Sequence, residues 1–250
     1  MDDAQRARDF LLAIAVGSAG AVEEAPWGVA VRNPEFPVSH AHNQLWVRRP
    51  VPAPVLLAEA DRVLGDLGHR QLTVLDDETG RELAPALRQA GYVHARHVVM
   101  VAEEPPPAPR VQPETVSFAD VRAPMAASWR REIPGLSAEG VRQLVERTQS
   151  VARACRLTLL GVRRAGAVVA WCELYRRGGT AQIEDVMTLP EWRGRGFASS
   201  LVATASTRAR EAGDDLLFLV ADEDDWPREL YRRLGFRERA RTHVFARPAA

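Results

Sequence analysis

The sequence predicts a mixed α/β fold built as two related units in tandem. Three observations carry this. Residues Ala181 to Ala212 read as a strand, a glycine-rich basic turn and a helix. The order helix, glycine, strand, acidic turn, helix, Gly-aromatic, strand occurs twice, once through Gly68 and Gly91-Tyr92 and once through Gly213 and Gly235-Phe236. Gly235 follows Gly91 by 144 positions, and one residue of slippage brings Gly213 into line with Gly68. Between the halves lies Glu103 to Pro113, EEPPPAPRVQP, a stiff and extended proline-rich linker. The expected organisation is one unit over 1–102, the linker over 103–113 and a second unit over 114–250.

Composition narrows the function classes. The chain has 250 residues, of which 46% are apolar, enough for a sizeable core. Its formal net charge is zero, which argues against nucleic-acid binding by bulk electrostatics. All its basic residues other than histidine are arginines. Cys155 and Cys172 are the two cysteines, so neither a disulfide framework nor a cysteine-rich zinc site is expected. Cys172 sits in an apolar strand and reads as core. No apolar run is long enough to cross a membrane and the start, Met-Asp-Asp, lacks a basic leader, so a cytoplasmic setting is expected.

In chain order, Ala4 to Gly17 reads as a helix with Phe10, Leu11, Ile14 and Ala15 on one face. Trp27–Val31 and Gln44–Val47 read as strands, with a loop over Asn33–Asn43. His40 and His42 in that loop have no further ligand at metal spacing, so no metal is expected. Leu56 to Leu67 makes a helix stopped at Gly68, and Gln71–Leu75 a strand. Asp76–Thr79 is read as a turn, Arg81–Ala90 as a helix, and Tyr92–Val101 as a strand. Beyond the linker, Asp120–Ile133 and Ser137–Cys155 are helical, with Ser137 as N-cap. Arg156–Val162 and Ala167–Tyr175 form a hairpin.

The stretch Ile183 to Leu189 alternates as a strand, and Pro190 closes it. The turn Glu191 to Gly196 holds Arg193, Gly194, Arg195 and Gly196, and Phe197 opens the helix. The first N–H groups of a helix have no internal partner and lie at the positive end of its dipole. With two arginines they make a seat for a diphosphate. The spacing matches neither the dinucleotide fingerprint nor a P-loop.

Arg193-Gly194-Arg195-Gly196-Phe197-Ala198 resembles the Q/R-x-x-G-x-G/A signature of the GNAT acetyltransferases, and Pro190-Glu191-Trp192 before it is typical of them. Leu230-Tyr231-Arg232-Arg233-Leu234-Gly235-Phe236 is similar to their later L-Y-x-x-L-G-F motif. The resemblance covers about residues 115 to 247. It implies the acyl-CoA N-acyltransferase (GNAT) fold, a mixed α/β sheet, with acetyl-CoA as co-substrate and transfer of its acetyl group to an amine. By alignment the backbone of Val186, Met187 and Thr188 receives the pantetheine arm. The amides from Arg193 through Gly194, Arg195, Gly196, Phe197, Ala198 and Ser199 receive the diphosphate. Tyr231 matches the tyrosine that protonates the departing thiolate. Asp224 stands where the family commonly has a coenzyme-contacting asparagine.

For the general base the candidates are Glu184, which by period-two alternation shares a face with Val186 and Thr188 while Asp185 faces away, and Glu173 on the preceding strand. The first unit lacks the equivalent turn: Arg49-Pro50-Val51-Pro52-Ala53-Pro54 has no glycine, and its prolines remove amides. Leu87 replaces Tyr231. That unit is expected to pack against the second, or to wall its substrate site, without binding coenzyme. Two alternatives stand beside the enzyme: a non-catalytic acyl-CoA-binding or sensing module, and a protein-interaction scaffold. The residues name neither a particular amine acceptor nor an oligomeric state.

Overall fold

The structure, a computed structural model, describes residues 2–248. Its centre is a pair of long antiparallel strands, one from each half of the chain. β5 (Val93–Ala102) pairs with β11 (Phe236–Pro248) from Ala102↔Phe236 to Val93↔Ala246. Outward from β5 run β10 (Leu216–Asp222), β9 (Thr180–Thr188), β8 (Ala167–Arg177), β7 (Arg156–Arg164) and β6 (Glu114–Thr115). Outward from β11 run β4 (His69–Val74), β3 (Gln44–Val47), β2 (Gly28–Arg32) and β1 (Ala21–Ala25). The order mirrors itself about the central pair. β9 and β10 are parallel, as are β3 and β4; the strands outside each parallel pair are antiparallel.

The duplication read from the sequence therefore has a physical form, in which each unit's last strand completes the other's sheet. β5 sits between β10 and β11, and β11 sits between β4 and β5. Residues 103–113 carry no helix or strand, yet one sheet runs through both halves.

Helices cover both faces. On one lie α2 (Ala53–Leu64), α3 (Asp77–Gln89), α6 (Phe197–Glu211) and α7 (Pro227–Arg233). On the other lie α1 (Asp3–Ser18), α4 (Phe118–Glu132) and α5 (Ala138–Glu146), followed by a 3₁₀ helix over Arg147–Arg153. α1 crosses the seam, placing Ala7, Phe10 and Ile14 against Val99, Phe218 and Tyr175, with the Phe10 and Phe218 rings edge to face at 5.5 Å. Cys172 is fully buried in the core, as expected. Among the described residues no helix is long and apolar enough to cross a membrane.

Several elements differ from their sequence reading. Ala21–Ala25 is an edge strand whose residues are mostly exposed, so it lacked the apolar alternation that marks a strand. Asp76–Thr79 is the start of α3: the Asp76 carboxylate accepts the Thr79 N–H at 2.9 Å, and Asp77 and Glu78 sit in the first turn where the dipole favours them. α4 starts at Phe118, earlier than the pattern predicted, because Ser117 and Asp120 form a reciprocal capping box. Ser137 caps α5 as expected, its Oγ accepting the Gly140 N–H at 3.0 Å. The single helix expected over Ser137–Cys155 tightens into the 3₁₀ turn after Glu146.

The exchanged strands make the halves interdependent. A fragment of residues 103–250 loses β4 and β5, which leaves one side of β10 and both sides of β11 unpaired. It is expected to lack a cooperative melt by circular dichroism while the full chain shows one; a full-chain-like transition in the fragment contradicts the exchange.

Candidate functional site

β9 and β10 pair from Thr180↔Leu216 to Ile183↔Leu219 and no further, although β9 runs on to Thr188 and β10 to Asp222. Beyond Ile183 the two strands part and leave a slot. A bulge causes the parting. The β8–β9 register shifts between Trp171 and Glu173, and Asp185 takes φ +49°, the left-handed region an L-residue seldom enters. The Leu189 N–H donates to Val169 O at 3.0 Å, so by alternation Met187 also turns its backbone to β8, opposite Trp171. Of the three expected backbone positions, Val186 and Thr188 face the slot and Met187 does not.

The first unit has no such opening. β3 and β4 stay paired to Val47↔Val74, and the Leu75 N–H extends the ladder to Val47 O at 3.0 Å. Past those strand ends lies a polar hollow of about 420 Å³ lined by Arg8, Arg48, Asp76, Glu78 and Glu82.

At the far end of β9 the basic turn leads into α6. Gly194 and Gly196 both have φ +75°, a conformation that accounts for glycine at each place. The Arg193 N–H is already spent on Pro190 O at 3.2 Å, so the free amides begin at Gly194. Ser200 is the first helix residue to bond back, its N–H donating to Gly196 O at 3.1 Å; the N–H groups of Phe197, Ala198 and Ser199 have no intrahelical partner. The Phe197 side chain is buried under the Arg164 guanidinium, 4.7 Å from its ring centre, so its contribution is its amide. Arg193 and Arg195 are exposed and carry no carboxylate partner among the described residues; Arg195 lies 4.7 Å over Trp192 and Arg193 donates to Thr188 O at 3.2 Å. Asp224 is an exposed loop residue whose N–H donates to Asp222 at 2.9 Å.

The two expected catalytic residues flank the slot. Tyr231, on α7, is 8% exposed and packs in the apolar cluster with Phe197, Leu201 and Phe236. Burial, with the charges of Glu184, Cys172 and Asp225 adding to it, pushes its phenol above the ordinary tyrosine range. Glu184 lies on the other face, in a cavity of about 270 Å³ spanning the seam. Glu173 and Asp185 line the same cavity. The expectation that Asp185 points away from Glu184 is therefore wrong, because the bulge breaks the alternation on which it rested. No sequence signal short of recognising that bulge separates the two readings.

The cavity's electrostatics are unusual. Tyr175 donates to one Glu173 oxygen, and Thr148 Oγ1 to the other at 3.2 Å. Burial, and then the Asp185 charge, pushes the Glu173 carboxyl up. The same two causes, with Glu173 third, push Glu184 up to about 8. Burial also raises Asp185, against the pull of Arg147. Arg147 is held by Ser39 Oγ at 2.8 Å and stacks 5.1 Å from the Trp129 ring centre.

The opposite wall comes from the first unit: His42, Gln44 and Trp46, with Gln71 and Thr73 of β4. His42, read from the sequence as an unremarkable loop residue, is tied by its ring to Ser39 at 3.1 Å and Ser150 at 3.0 Å; burial lowers it to about 3, so it stays neutral. The sequence could place none of these wall residues, because they reach the cavity only through the strand exchange.

A carboxyl held above its ordinary value of 4.5 keeps its proton longer in the folded chain. Between about pH 4.5 and 8 the folded state therefore binds more protons than the unfolded state, and stability falls as pH rises. Thermal midpoints are expected to drop across that window. Glu184→Gln, which removes the buried charge, is expected to raise the midpoint above pH 8 by roughly 2–4 °C and to flatten the profile. A midpoint that rises with pH through this window contradicts the assignment.

Residues 159–245 match the family described as FR47-like protein. No curated protein matches the sequence. Among solved structures, a conserved protein of unknown function from Staphylococcus epidermidis superposes with a TM-score of 0.74 at 15% identity, covering 93% of this chain and 95% of that one. A GCN5-related N-acetyltransferase from Kribbella flavida gives 0.66 at 18% identity over 100% and 97%. A tandem GNAT protein from the clavulanic acid biosynthesis pathway gives 0.60 at 16% identity over 99% and 95%. The mirrored sheet, the parted strands before a glycine turn and these likenesses together make the chain a tandem protein of the GNAT fold, with an FR47-like match in its second unit.

Proposed function

We propose that this chain is an acetyl-CoA-dependent N-acetyltransferase whose second unit holds the coenzyme and whose seam cavity receives the amine. One observation carries the reading: the slot between β9 and β10 joins a seat of unspent amides to a cavity lined with carboxylates. Unpaired backbone facing a slot suits an extended pantetheine arm, which adds to a strand through main-chain bonds. The free amides from Gly194 to Ser199, with Arg193 and Arg195 beside them, suit a diphosphate.

The thioester supplies an activated acetyl group, and this chain supplies position and proton handling. Glu184, titrating near 8, takes a proton from the bound amine. The amine nitrogen attacks the thioester carbonyl carbon, the C–N bond forms and the C–S bond breaks. The sulfur leaves as a thiolate and takes the Tyr231 phenol proton. Burial keeps that phenol protonated until the thiolate appears beside it. Burial first, and then the charges of Asp185 and Glu173, raise the basicity of Glu184 to the working range, so those two residues act through it.

The test is free-thiol release from acetyl-CoA with a panel of amines. Tyr231→Phe is expected to lower kcat about a hundredfold with coenzyme affinity unchanged. Glu184→Gln is expected to lower kcat similarly and to remove a rise in rate with pH centred near 8. Full activity in both variants removes them from the mechanism, and no thiol release with any amine in the wild type favours a non-catalytic acyl-CoA-binding module.

A further inference from the structure

The proline-rich stretch between the units does not hang free. It lies along α6 and is tied to the second unit at both ends. At its start the Glu103 N–H donates to Gly235 O at 3.0 Å, the Arg210 guanidinium donates to Glu104 O at 3.0 Å, and the Glu104 carboxylate pairs with Arg237 at 2.7 Å. At its far end the Val111 N–H donates to Ser200 Oγ at 3.3 Å, in the first turn of α6. Val111 packs on the apolar cluster that holds Phe197 and Leu201, and Glu114–Thr115 then joins the sheet beside β7. The run therefore passes from the C-terminal end of α6 to its N-terminal end. Pro105, Pro106, Pro107 and Pro109 stiffen it, so little backbone entropy is lost in holding what it carries.

What it carries to the N-terminal end of α6 is Arg110. A methyl group built on Gly196 would meet Arg110 Cδ at 3.3 Å and nothing else within 4 Å outside the neighbouring residues. Cδ is the atom that bears the guanidinium, so the charge stands within a bond or two of the turn whichever rotamer the end adopts. Gly196 lies between the free amides of Gly194 and Arg195 and those of Phe197 to Ser199. The other charges of the run, Glu103 and Glu104, are both paired with arginines. Arg110 is exposed and has no carboxylate partner among the described residues. Of the three arginines at the seat, Arg193 already donates to Thr188 O and Arg195 lies over the Trp192 ring, whereas Arg110 has neither tie among the described residues.

We propose that Arg110 is a coenzyme-binding residue whose guanidinium closes over the diphosphate from the inter-unit run. This rests on the coenzyme reading above and adds to it a residue from outside the glycine turn. Backbone amides supply single donors from fixed directions, and a guanidinium adds a planar fork that two phosphate oxygens can share. The run between the units is thus one side of the coenzyme seat as well as a spacer, and its attachment to Ser200 sets where that side stands.

The test is calorimetric titration of coenzyme A and of 3′-dephospho-coenzyme A into the full chain, Arg110→Met and Arg110→Lys. Methionine keeps an unbranched apolar stem and removes the charge. Arg110→Met is expected to weaken both ligands by about tenfold. It is also expected to flatten the fall of affinity with added salt, since one cation fewer meets the phosphates; a merely structural change in the run would leave that slope alone. Arg110→Lys is expected to recover most of the loss, because the charge returns without the fork. Unchanged affinity or an unchanged salt slope in Arg110→Met overturns the proposal, as does an Arg110→Lys chain that binds as weakly as Arg110→Met. A loss confined to coenzyme A, absent with the 3′-dephospho form, overturns it too, because the guanidinium then acts on the 3′-phosphate. Tight binding by the wild type with any of these results sinks only the role of Arg110; no binding of either ligand to the wild type sinks the coenzyme reading with it.

Discussion

Everything in this molecule depends on the pairing of β5 with β11. Each strand is the last of its own unit and the penultimate neighbour in the other's sheet. Ladder hydrogen bonds along Val93–Ala102 and Phe236–Ala246 fuse two incomplete sheets into one, so that neither half can satisfy its backbone alone. The same pairing sets the distance between β3 and β9, closes the seam cavity between them and brings Trp46 across from Glu184. Packing of α1 over the seam then locks what the ladder has aligned.

On that symmetric frame the two units have diverged in one decisive respect. In the second, a bulge at Asp185 ends the β9–β10 ladder early and opens a slot, and glycines at 194 and 196 carry the chain into α6 with its amides free. In the first, β3 and β4 remain paired to their ends, and α2 begins behind Pro52 with Pro54 in its first turn. Proline there gives a good helix start and removes a donor, which suits packing and not anion binding. The first unit keeps the mirrored strand order without the opening, and its residues form one wall of the neighbouring cavity.

Much of this was legible in the sequence, and the failures have physical reasons. The turn at Arg193–Phe197, the N-cap at Ser137 and the repeated glycine punctuation are local signals, fixed by backbone conformation and helix-end chemistry, and they read correctly. The edge strand at Ala21–Ala25 was missed because an exposed strand needs no apolar alternation. The acidic start of α3 was taken for a turn because caps and turns use the same residue types. Asp185 was placed on the wrong face because one extra residue in a strand inverts the alternation after it. The duplication was readable, but the exchange of final strands was not: it pairs residues more than a hundred positions apart, and nothing local distinguishes it from two separate sheets. The cavity wall of His42, Gln44, Trp46, Gln71 and Thr73 was invisible for the same reason.

The central claim is that two units of one ancestry leave a single coenzyme seat, in the parted strands of the second. Calorimetric titration of acetyl-CoA into the full chain tests it most directly, alongside Ala198→Glu. A carboxylate in the first turn of α6 suits the helix dipole and preserves the fold, but repels a diphosphate. The account predicts one site per chain, of roughly micromolar affinity, abolished in the variant. Two sites per chain, or binding that survives in Ala198→Glu, would contradict it.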